Sequence, residues 1–248
     1  MNKVQILDEL FLTSDYCVWY EKKNTIIAAD FHIGYESALK EDGISLPTFQ
    51  KEKILDRLAD IKNRYHPDSF IVLGDFKHNF GRSENQEFRE VLEIMDYIIE
   101  DSSLVMIKGN HDNYLENYAN MKGVPFYEEK MTLGDINLTH GHSKLHFDGP
   151  LIIGHEHPVI QIKDEVGSKM RLPCFLYNPE QEILILPAFD PISEGRDVIR
   201  SRSFLSEGLD RFDPAEFQVY AITENGLKDF HTVVDIRSTQ PDFTDVLE

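Results

Sequence analysis

The sequence predicts an α/β protein in which two packed β-sheets are flanked by helices. Strand and helix patterns alternate in the first half of the chain, whereas short, antiparallel-looking strands dominate the second half. With 248 residues and 41% hydrophobic content, the chain can bury a sizeable core. We expect a single domain over residues 1–238 and a polar, frayed tail over residues 239–248.

Compact apolar runs rich in β-branched and aromatic residues predict the strands of the first half. These strands cover residues Leu10–Thr13, 16–20, 25–29, Ser69–Leu73 and Ser103–Ile107.

Two segments between these strands have apolar residues at helical spacing. Residues 47–65 place Ile54, Leu58, Ile61 and Tyr65 on one face, which predicts an amphipathic helix. A second helix is predicted over residues 84–99, where one stripe contains Phe88, Val91, Leu92, Met95, Ile98 and Ile99. Ser83 and Gln86 have the spacing of a capping box at its start.

Helical periodicity fades after residue 120, and the remaining elements are predicted as strands. These strands cover residues Ile136–Thr139, Leu151–Ile153, 159–162, 171–177, 183–186, 217–222 and 227–234. Asn225-Gly226 indicates a turn between the last two of them.

Composition limits the classes of function. The 25 Lys and Arg residues and 44 Asp and Glu residues give a net charge of −19, which disfavours non-specific coating of nucleic acid. An acidic protein that handles phosphates is expected to use bound cations. The two cysteines, Cys17 and Cys174, form no CxxC pair, and no apolar run is long enough to cross a bilayer. We therefore expect a soluble cytoplasmic protein.

Five short polar motifs hold most of the histidines. Each follows a predicted strand, and ligands of open α/β sheets gather at the carboxyl ends of strands. The motifs are Asp30-Phe31-His32, Gly74-Asp75-Phe76-Lys77-His78, Gly109-Asn110-His111-Asp112, His140-Gly141-His142 and Gly154-His155-Glu156-His157. Singly, such motifs also occur where no metal binds, but five in order at strand ends favour one shared site.

The side chains of these motifs offer oxygen and imidazole nitrogen donors and no thiolate. This set suits manganese, iron or zinc and disfavours a structural zinc site. The candidate ligands are Asp30, His32, Asp75, Asn110, His140, His155 and His157. They are too many for one four-coordinate ion but fit two ions that share a carboxylate. Two such cations can hold a phosphoryl group and activate a shared water, so the residues predict a binuclear hydrolase.

The ordered motifs resemble those of the calcineurin-like metallophosphoesterase superfamily, and the resemblance spans residues 30–158. The stretch from Gly154 to Pro158, with residues 186–191, is similar to the ICC-like phosphoesterases of archaea and bacteria. The resemblance implies a four-layer α/β/β/α sandwich of two mixed sheets. It also implies two divalent cations, with Mn²⁺ as the first choice and iron, zinc or nickel as alternatives.

The resemblance also implies roles for the individual residues. Asp30, His32 and His157 would hold one cation, Asn110, His140 and His155 the other, and Asp75 would bridge them. His111 would be the catalytic histidine and protonate the leaving oxygen, and Asp112 would orient it. His78 stands where many relatives carry Asp and would contact substrate. His142 is an alternative to His140 as ligand and a candidate for substrate binding.

The departures from the family pattern narrow the substrate. Asp-Arg-Gly, which phosphoprotein phosphatases carry after the second motif, is absent from residues 76–82. The Gly-Asp-x-x-His form is closer to repair nucleases, but the chain has no obvious room for their DNA-binding cap. We expect a phosphodiesterase acting on a nucleotide or nucleic-acid end, without binding long duplexes alone. The alternative functions are a small-molecule phosphomonoesterase and a metal-binding scaffold without catalysis. The sequence is also compatible with a protein partner or a homo-oligomer.

A small basic cluster follows the motifs. This cluster consists of Gly195-Arg196, Arg200 and Arg202. It would either clamp substrate phosphates or form a solvated, internally paired face. Arg196 is the substrate-binding candidate of this cluster.

Overall fold

A computed structural model describes residues 2–41, 43, 49–81, 85–144, 146–163 and 169–239. Two mixed sheets stack face to face in this part of the chain, and helices lie outside them. The α/β class and the layered arrangement predicted from the sequence are confirmed.

The first sheet is formed by the amino-terminal half of the chain. Its strands pair in chain order, antiparallel at the start and parallel from β4 onward. They are β1 (Lys3–Leu7), β2 (Leu10–Thr13), β3 (Val18–Tyr20), β4 (Thr25–Ala28), β5 (Ser69–Leu73), β6 (Ser103–Ile107) and β7 (Phe126–Tyr127). The connecting helices are α1 (Tyr35–Glu41), α2 (Gln50–Tyr65), α3 (Asn85–Ile99) and α4 (Leu115–Lys122).

The second sheet is formed by the rest of the chain. Its strands are β8 (Lys130–Leu133), β9 (Ile136–Thr139), β10 (Leu151–Ile153), β11 (Pro158–Lys163), β12 (Lys169–Asn178), β13 (Ile183–Ile185), β14 (Arg196–Asp197), β15 (Gln218–Thr223) and β16 (Gly226–Thr232). A last helix, α5 (Val233–Thr239), follows β16. The central strands β9, β10 and β13 run parallel to one another.

The core has three parts, one for each contact between layers. The inner faces of both sheets meet in a cluster that includes Leu12, Ile71, Ile152 and Leu184. Helices α2, α3 and α4 pack on the outer face of the first sheet. Helix α5 and residues 198–217 cover the outer face of the second sheet. Because each sheet is buried on both faces, its central strands are continuously apolar.

Several predicted elements are confirmed. Strands β5, β6, β9 and β10 have the predicted bounds, and Ile54, Leu58 and Ile61 of α2 are fully buried. The predicted capping residue Ser83 and the tail residues 240–248 lie outside the described residues.

Helix α5 corrects the prediction of a strand through residue 234. The helix begins at Val233 because Thr232 and Asp235 form a cap at its first turn. The side chain of each residue bonds the backbone N–H of the other, and the two side chains also bond each other. The Oγ1 atom of Thr232 accepts a hydrogen bond from the backbone N–H of Asp235 at 3.2 Å, and Asp235 Oδ2 accepts one from the N–H of Thr232 at 3.0 Å. This reciprocal pair acts as a capping box and stops the β pattern. Helices α1 and α4 were also not predicted, because short helices carry little periodicity.

Cys17 and Cys174 are buried free thiols. No described helix combines the length and hydropathy needed to span a membrane.

Candidate metal centre

The five motifs lie at the carboxyl ends of parallel strands. Those after β4, β5 and β6 belong to the first sheet, and those after β9 and β10 belong to the second. The strand ends of the two sheets face each other, so all five motifs meet in one place.

The backbone turns sharply where the motifs leave the strands. Non-glycine residues of three motifs have left-handed φ angles: Asp30 at 59°, His32 at 46°, Asp75 at 50°, His155 at 68° and His157 at 42°. Such a conformation costs free energy and is concentrated at functional sites. Here it turns alternate side chains, such as those of Asp30 and His32, toward a common point.

Gly109 allows the loop of its own motif to pack directly against the turn at Asp75. A Cβ atom at this position would lie 2.1 Å from Asp75 Oδ1 and 2.3 Å from the backbone nitrogen of Asp75. No side chain fits there, so the glycine of the Gly-Asn-His-Asp motif is needed for close packing of the loops.

One group of potential ligands contains Asp30, His32 and His157, whose donor atoms all lie within 4.8 Å of one another. The Nε2 atoms of His32 and His157 are 3.3 Å apart. Asp30 Oδ1 lies 3.1 Å from His157 Nε2, and Asp30 Oδ2 accepts a hydrogen bond from the backbone N–H of His155 at 3.0 Å. The group therefore brings two ring nitrogens and a carboxylate oxygen to one point.

A second group contains Asp75, His140 and His155. Asp75 Oδ2 lies 3.3 Å from His140 Nε2 and 3.9 Å from His32 Nε2, so this oxygen stands between the two groups. Asn110 Oδ1 lies 3.2 Å from His140 Nε2 and joins the second group. All seven ligand candidates named from the sequence are thus brought together.

Burial and charge set the protonation of these groups. Burial lowers the pKa of His32 to about 3 and that of His155 to about 4, so both rings are neutral at pH 7. Burial opposes the charge of Asp75, but His140 outweighs it and keeps the pKa of this carboxyl well below its usual range. Burial also opposes the charged ring of His140, but Asp75 raises its pKa to about 9. Two neutral imidazoles are therefore ready to bind a cation. His140 would lose its proton when a cation binds to it.

The residues fit divalent cations. Asp30 Oδ1 is buried and accepts no hydrogen bond from any described residue, although ring nitrogens surround it. Two imidazole nitrogens 3.3 Å apart beside a carboxylate are also placed to share a cation. The donor set of nitrogen and oxygen atoms matches manganese, iron or zinc.

His111 lies beside the second group, and a backbone carbonyl orients its ring. The Nδ1 atom of His111 donates a hydrogen bond to the carbonyl oxygen of His78. Its Nε2 atom lies 3.9 Å from Asp75 Oδ2, so this nitrogen faces the site. The ring of His78 lies 5.1 Å from that of His111, and both rings flank His32.

Asp112 has a different contact from the one expected. Its Oδ1 atom accepts backbone N–H bonds from Phe76 at 2.9 Å and Lys77 at 3.2 Å, and its Oδ2 atom accepts one from Gly109 at 2.8 Å. The expected bond to the His111 ring is replaced by the carbonyl of His78. Because Asp112 is fully occupied by backbone donors, it joins the two loops and acts on His111 only through them.

Sequence reasoning missed the buried groups that hold the site loops. Glu87 is completely buried, and its Oε1 atom accepts N–H bonds from His78 at 3.2 Å and Asn79 at 2.8 Å. Gln50 Nε2 donates to the carbonyl of His32 at 2.9 Å and to Asp190 Oδ1 at 2.7 Å. Both residues lie in the first turn of a helix. Their burial identifies them as supports of the site, and burial cannot be read from the sequence.

His142 and Arg196 lie at the margin of the site. The ring centroid of His142 is 5.3 Å from that of His140, while His140 itself contacts Asp75 and Asn110. The arrangement favours His140 over His142 as the ligand candidate. Arg196 Nη1 lies 3.4 Å from the buried carboxylate of Glu156, so this arginine is internally paired.

A cavity of 340 Å³ opens above the two groups. Its lining includes Asn110, His111, His155, Ser193 and Arg196. A larger groove of 580 Å³ elsewhere contains none of the ligand candidates, so donor chemistry and not cavity size identifies the site.

The chain is similar to known phosphoesterases in sequence and in structure. A family model for calcineurin-like phosphoesterases matches residues 23–214. The solved structure of the nuclease MPE from Pseudomonas putida is similar, with a TM-score of 0.69 and 21% identity over 92% of this chain and 98% of that chain. The phosphoesterase YfcE from E. coli shares 15% identity over 84% of this chain and 98% of that chain, with a TM-score of 0.42. The search among curated protein sequences finds no match.

The family match covers most of the chain and every motif of the site. The structural likeness to the Pseudomonas putida nuclease supports the same fold. This chain therefore belongs to the calcineurin-like phosphoesterase family.

Proposed function

We propose that this protein is a phosphodiesterase that works with two divalent cations. The observation that carries the proposal is the pair of donor groups joined by Asp75 Oδ2, with the free nitrogen of His111 beside them. Asp30, His32 and His157 would hold one cation, and Asn110, His140 and His155 the other. Manganese is our first choice, with iron, zinc or nickel as alternatives, because the donors are nitrogen and oxygen.

When bound, the cations would supply Lewis-acid charge and lower the pKa of a nearby water. The chain's own contribution is orientation and proton transfer. The carbonyl of His78 holds Nδ1 of His111 as a donor, so the protonated ring would direct its Nε2 N–H at the departing ester oxygen and return to the neutral form once that proton is transferred. His78, whose ring lies beside that of His111, would contact the substrate. Asp112 keeps the loops of both histidines together.

The charge of the cavity favours a diester over a monoester. Its described lining carries Glu156 and Glu194 as well as Arg196, and Glu156 already pairs with that arginine. A phosphodiester has one negative charge, whereas a phosphomonoester near neutral pH approaches two. Apart from the two cations, the lining therefore offers little positive charge for the second. Arg196 is the candidate contact for a neighbouring phosphate.

A panel of metals and substrates tests the proposal. The manganese-loaded protein should cleave bis(p-nitrophenyl) phosphate faster than p-nitrophenyl phosphate. A reversed preference would favour a phosphomonoesterase. Cleavage of neither ester, nor of any nucleotide diester, would favour a metal-binding scaffold without catalysis.

A further inference from the structure

Four rings lie in a row along one edge of the candidate site. Tyr35 stacks on His78 with ring centroids 4.3 Å apart and planes inclined by 26°. His78 lies 5.1 Å from His111 at 31°, and Phe80 lies 3.9 Å from His111 at 32°. The row therefore ends in Phe80, which covers one side of the histidine proposed to donate the proton.

Phe80 is exposed yet held in place. Its side chain is 56% exposed, and its carbonyl oxygen accepts a hydrogen bond from Asn113 Nδ2 at 3.1 Å. Lys77, on the same loop, is buried and donates from Nζ to the carbonyls of Asn79 and Gly81. A lone exposed apolar ring is ordinary on a protein surface. The position beside His111 distinguishes this ring.

The position of Phe80 matters because the leaving group must pass it. A departing ester oxygen has to come within hydrogen-bonding distance of His111 Nε2, and the rest of the leaving group then extends beside the ring of Phe80. The ammonium group of Lys77 donates to carbonyl oxygens of its own loop, so these donors are already used within the protein. The contact that this edge offers is an aromatic face.

We propose that Phe80 is a stacking site for the nucleobase of the leaving nucleoside. The inference rests on the proposed phosphodiesterase function and narrows its substrate to nucleotide or oligonucleotide diesters. Stacking on an aromatic side chain tolerates every base, because every base presents a π-face. The site would therefore prefer nucleotides without selecting a sequence.

The test compares two diesters that differ only in the base on the leaving sugar. One carries a base, and the other carries an abasic sugar at the same place. Manganese-loaded wild type should cleave the first with a kcat/KM about 5- to 100-fold higher, the range that base–aromatic stacking supplies. Phe80→Leu should reduce this ratio to near one, whereas Phe80→Trp should retain it. Nitrophenyl esters are avoided because their leaving group is itself aromatic.

The matched control is Tyr127→Leu, which removes an aromatic ring that is 41% exposed on β7 and does not belong to the row. This variant should keep the wild-type ratio. Thermal unfolding of both leucine variants should match that of the wild type, because both rings are exposed.

A binding measurement separates this inference from the proposed function. The base-bearing diester is labelled with 2-aminopurine, whose fluorescence falls when it stacks. Quenching that Phe80→Leu abolishes supports the stacking site, even if no diester is cleaved and the proposed function fails. Equal cleavage of both diesters by wild type, or quenching unchanged in Phe80→Leu, would overturn the stacking site while leaving the phosphodiesterase intact.

Discussion

At the scale of single residues, backbone carbonyls decide which imidazole nitrogens face the site. His140 Nδ1 donates to the carbonyl of Leu73 at 2.8 Å, so its Nε2 is directed at Asp75 and Asn110. His111 Nδ1 donates to the carbonyl of His78 in the same way. With Nδ1 held as a donor, Nε2 presents a lone pair to a cation when the ring is neutral and an N–H to a leaving oxygen when the ring is protonated. The same hydrogen bond from Nδ1 to a backbone carbonyl thus orients His140, a ligand candidate, and His111, the proton-transfer candidate.

Replacing His111 should separate proton transfer from metal binding. We expect His111→Ala to lose about 10²- to 10⁴-fold in turnover, the usual contribution of a general acid. Its content of bound manganese should stay at the wild-type level, because the ligand candidates do not include His111. Turnover and elemental analysis of the same samples check both statements, and Asp75→Asn is the control that should lose metal. Equal loss of metal in both variants would contradict this role for His111.

Asp190 should make the stability of the metal-free protein depend on pH. Burial raises the pKa of this carboxyl from 3.8 to about 7. Because the folded-state pKa is the higher one, the stability from the protonated form is present below the unfolded value and is lost as pH rises through about 7. Asp190→Asn stays neutral, so its gain in Tm relative to wild type should grow between about pH 4 and pH 7. Parallel Tm curves for the two proteins would show that Asp190 does not titrate in this window.

At the scale of elements, the first turns of two helices support the site loops. Gln50 at the start of α2 bonds the loop of His32, and Glu87 at the start of α3 bonds the loop of His78. Strand ends bring the motifs to the site, but a strand end does not hold a loop in shape. These buried side chains do so by pairing with backbone groups that would otherwise be unsatisfied.

Removing Glu87 should weaken proton transfer by shifting His78 and, through its carbonyl, His111. We expect Glu87→Ala to slow cleavage of nucleotide diesters by about 10- to 100-fold, since small misplacements of catalytic groups have costs of this size. Esters with a nitrophenol leaving group need no proton donor, so their cleavage should change much less. Initial rates on both ester types give the comparison.

Two further variants of α3 interpret that result. Glu87→Gln keeps the accepting Oε1 atom and should restore most of the activity. Glu93→Ala removes a carboxylate of the same helix that pairs with Lys51 at 3.0 Å, away from the site, and should resemble wild type. If Glu87→Ala slowed both ester types equally, Glu87 would support the fold and not the position of His111.

At the scale of the whole molecule, the site exists only where the two sheets meet. Asp30, Asp75 and Asn110 come from the first sheet, whereas His140 and His155 come from the second. Two carboxylates are buried there among imidazoles. A cation bound between the sheets would therefore join the two halves of the fold and neutralise that charge.

Divalent metal should accordingly stabilise the fold. Adding Mn²⁺ to the metal-free protein should raise its Tm, because a ligand at 100 times its Kd contributes about 2.7 kcal/mol to the free energy of unfolding. Asp75→Asn should show a much smaller rise, and Asp210→Asn, an exposed change outside the site, should show the full rise. Scanning calorimetry with and without chelator measures this, and an equal Tm in both conditions would contradict a metal centre between the sheets.

Sequence alone identified the strands that carry the motifs and the residues that meet at their ends. Both follow from local chemistry, since apolar runs form strands and polar donors collect where strands stop. The tertiary structure alone showed which groups Asp112 contacts, that His140 and not His142 lies against Asp75 and Asn110, and that Glu87, Gln50 and Phe80 lie beside the motifs. Those roles depend on burial and on contacts between residues far apart in the chain, and residue order does not encode distances of that kind.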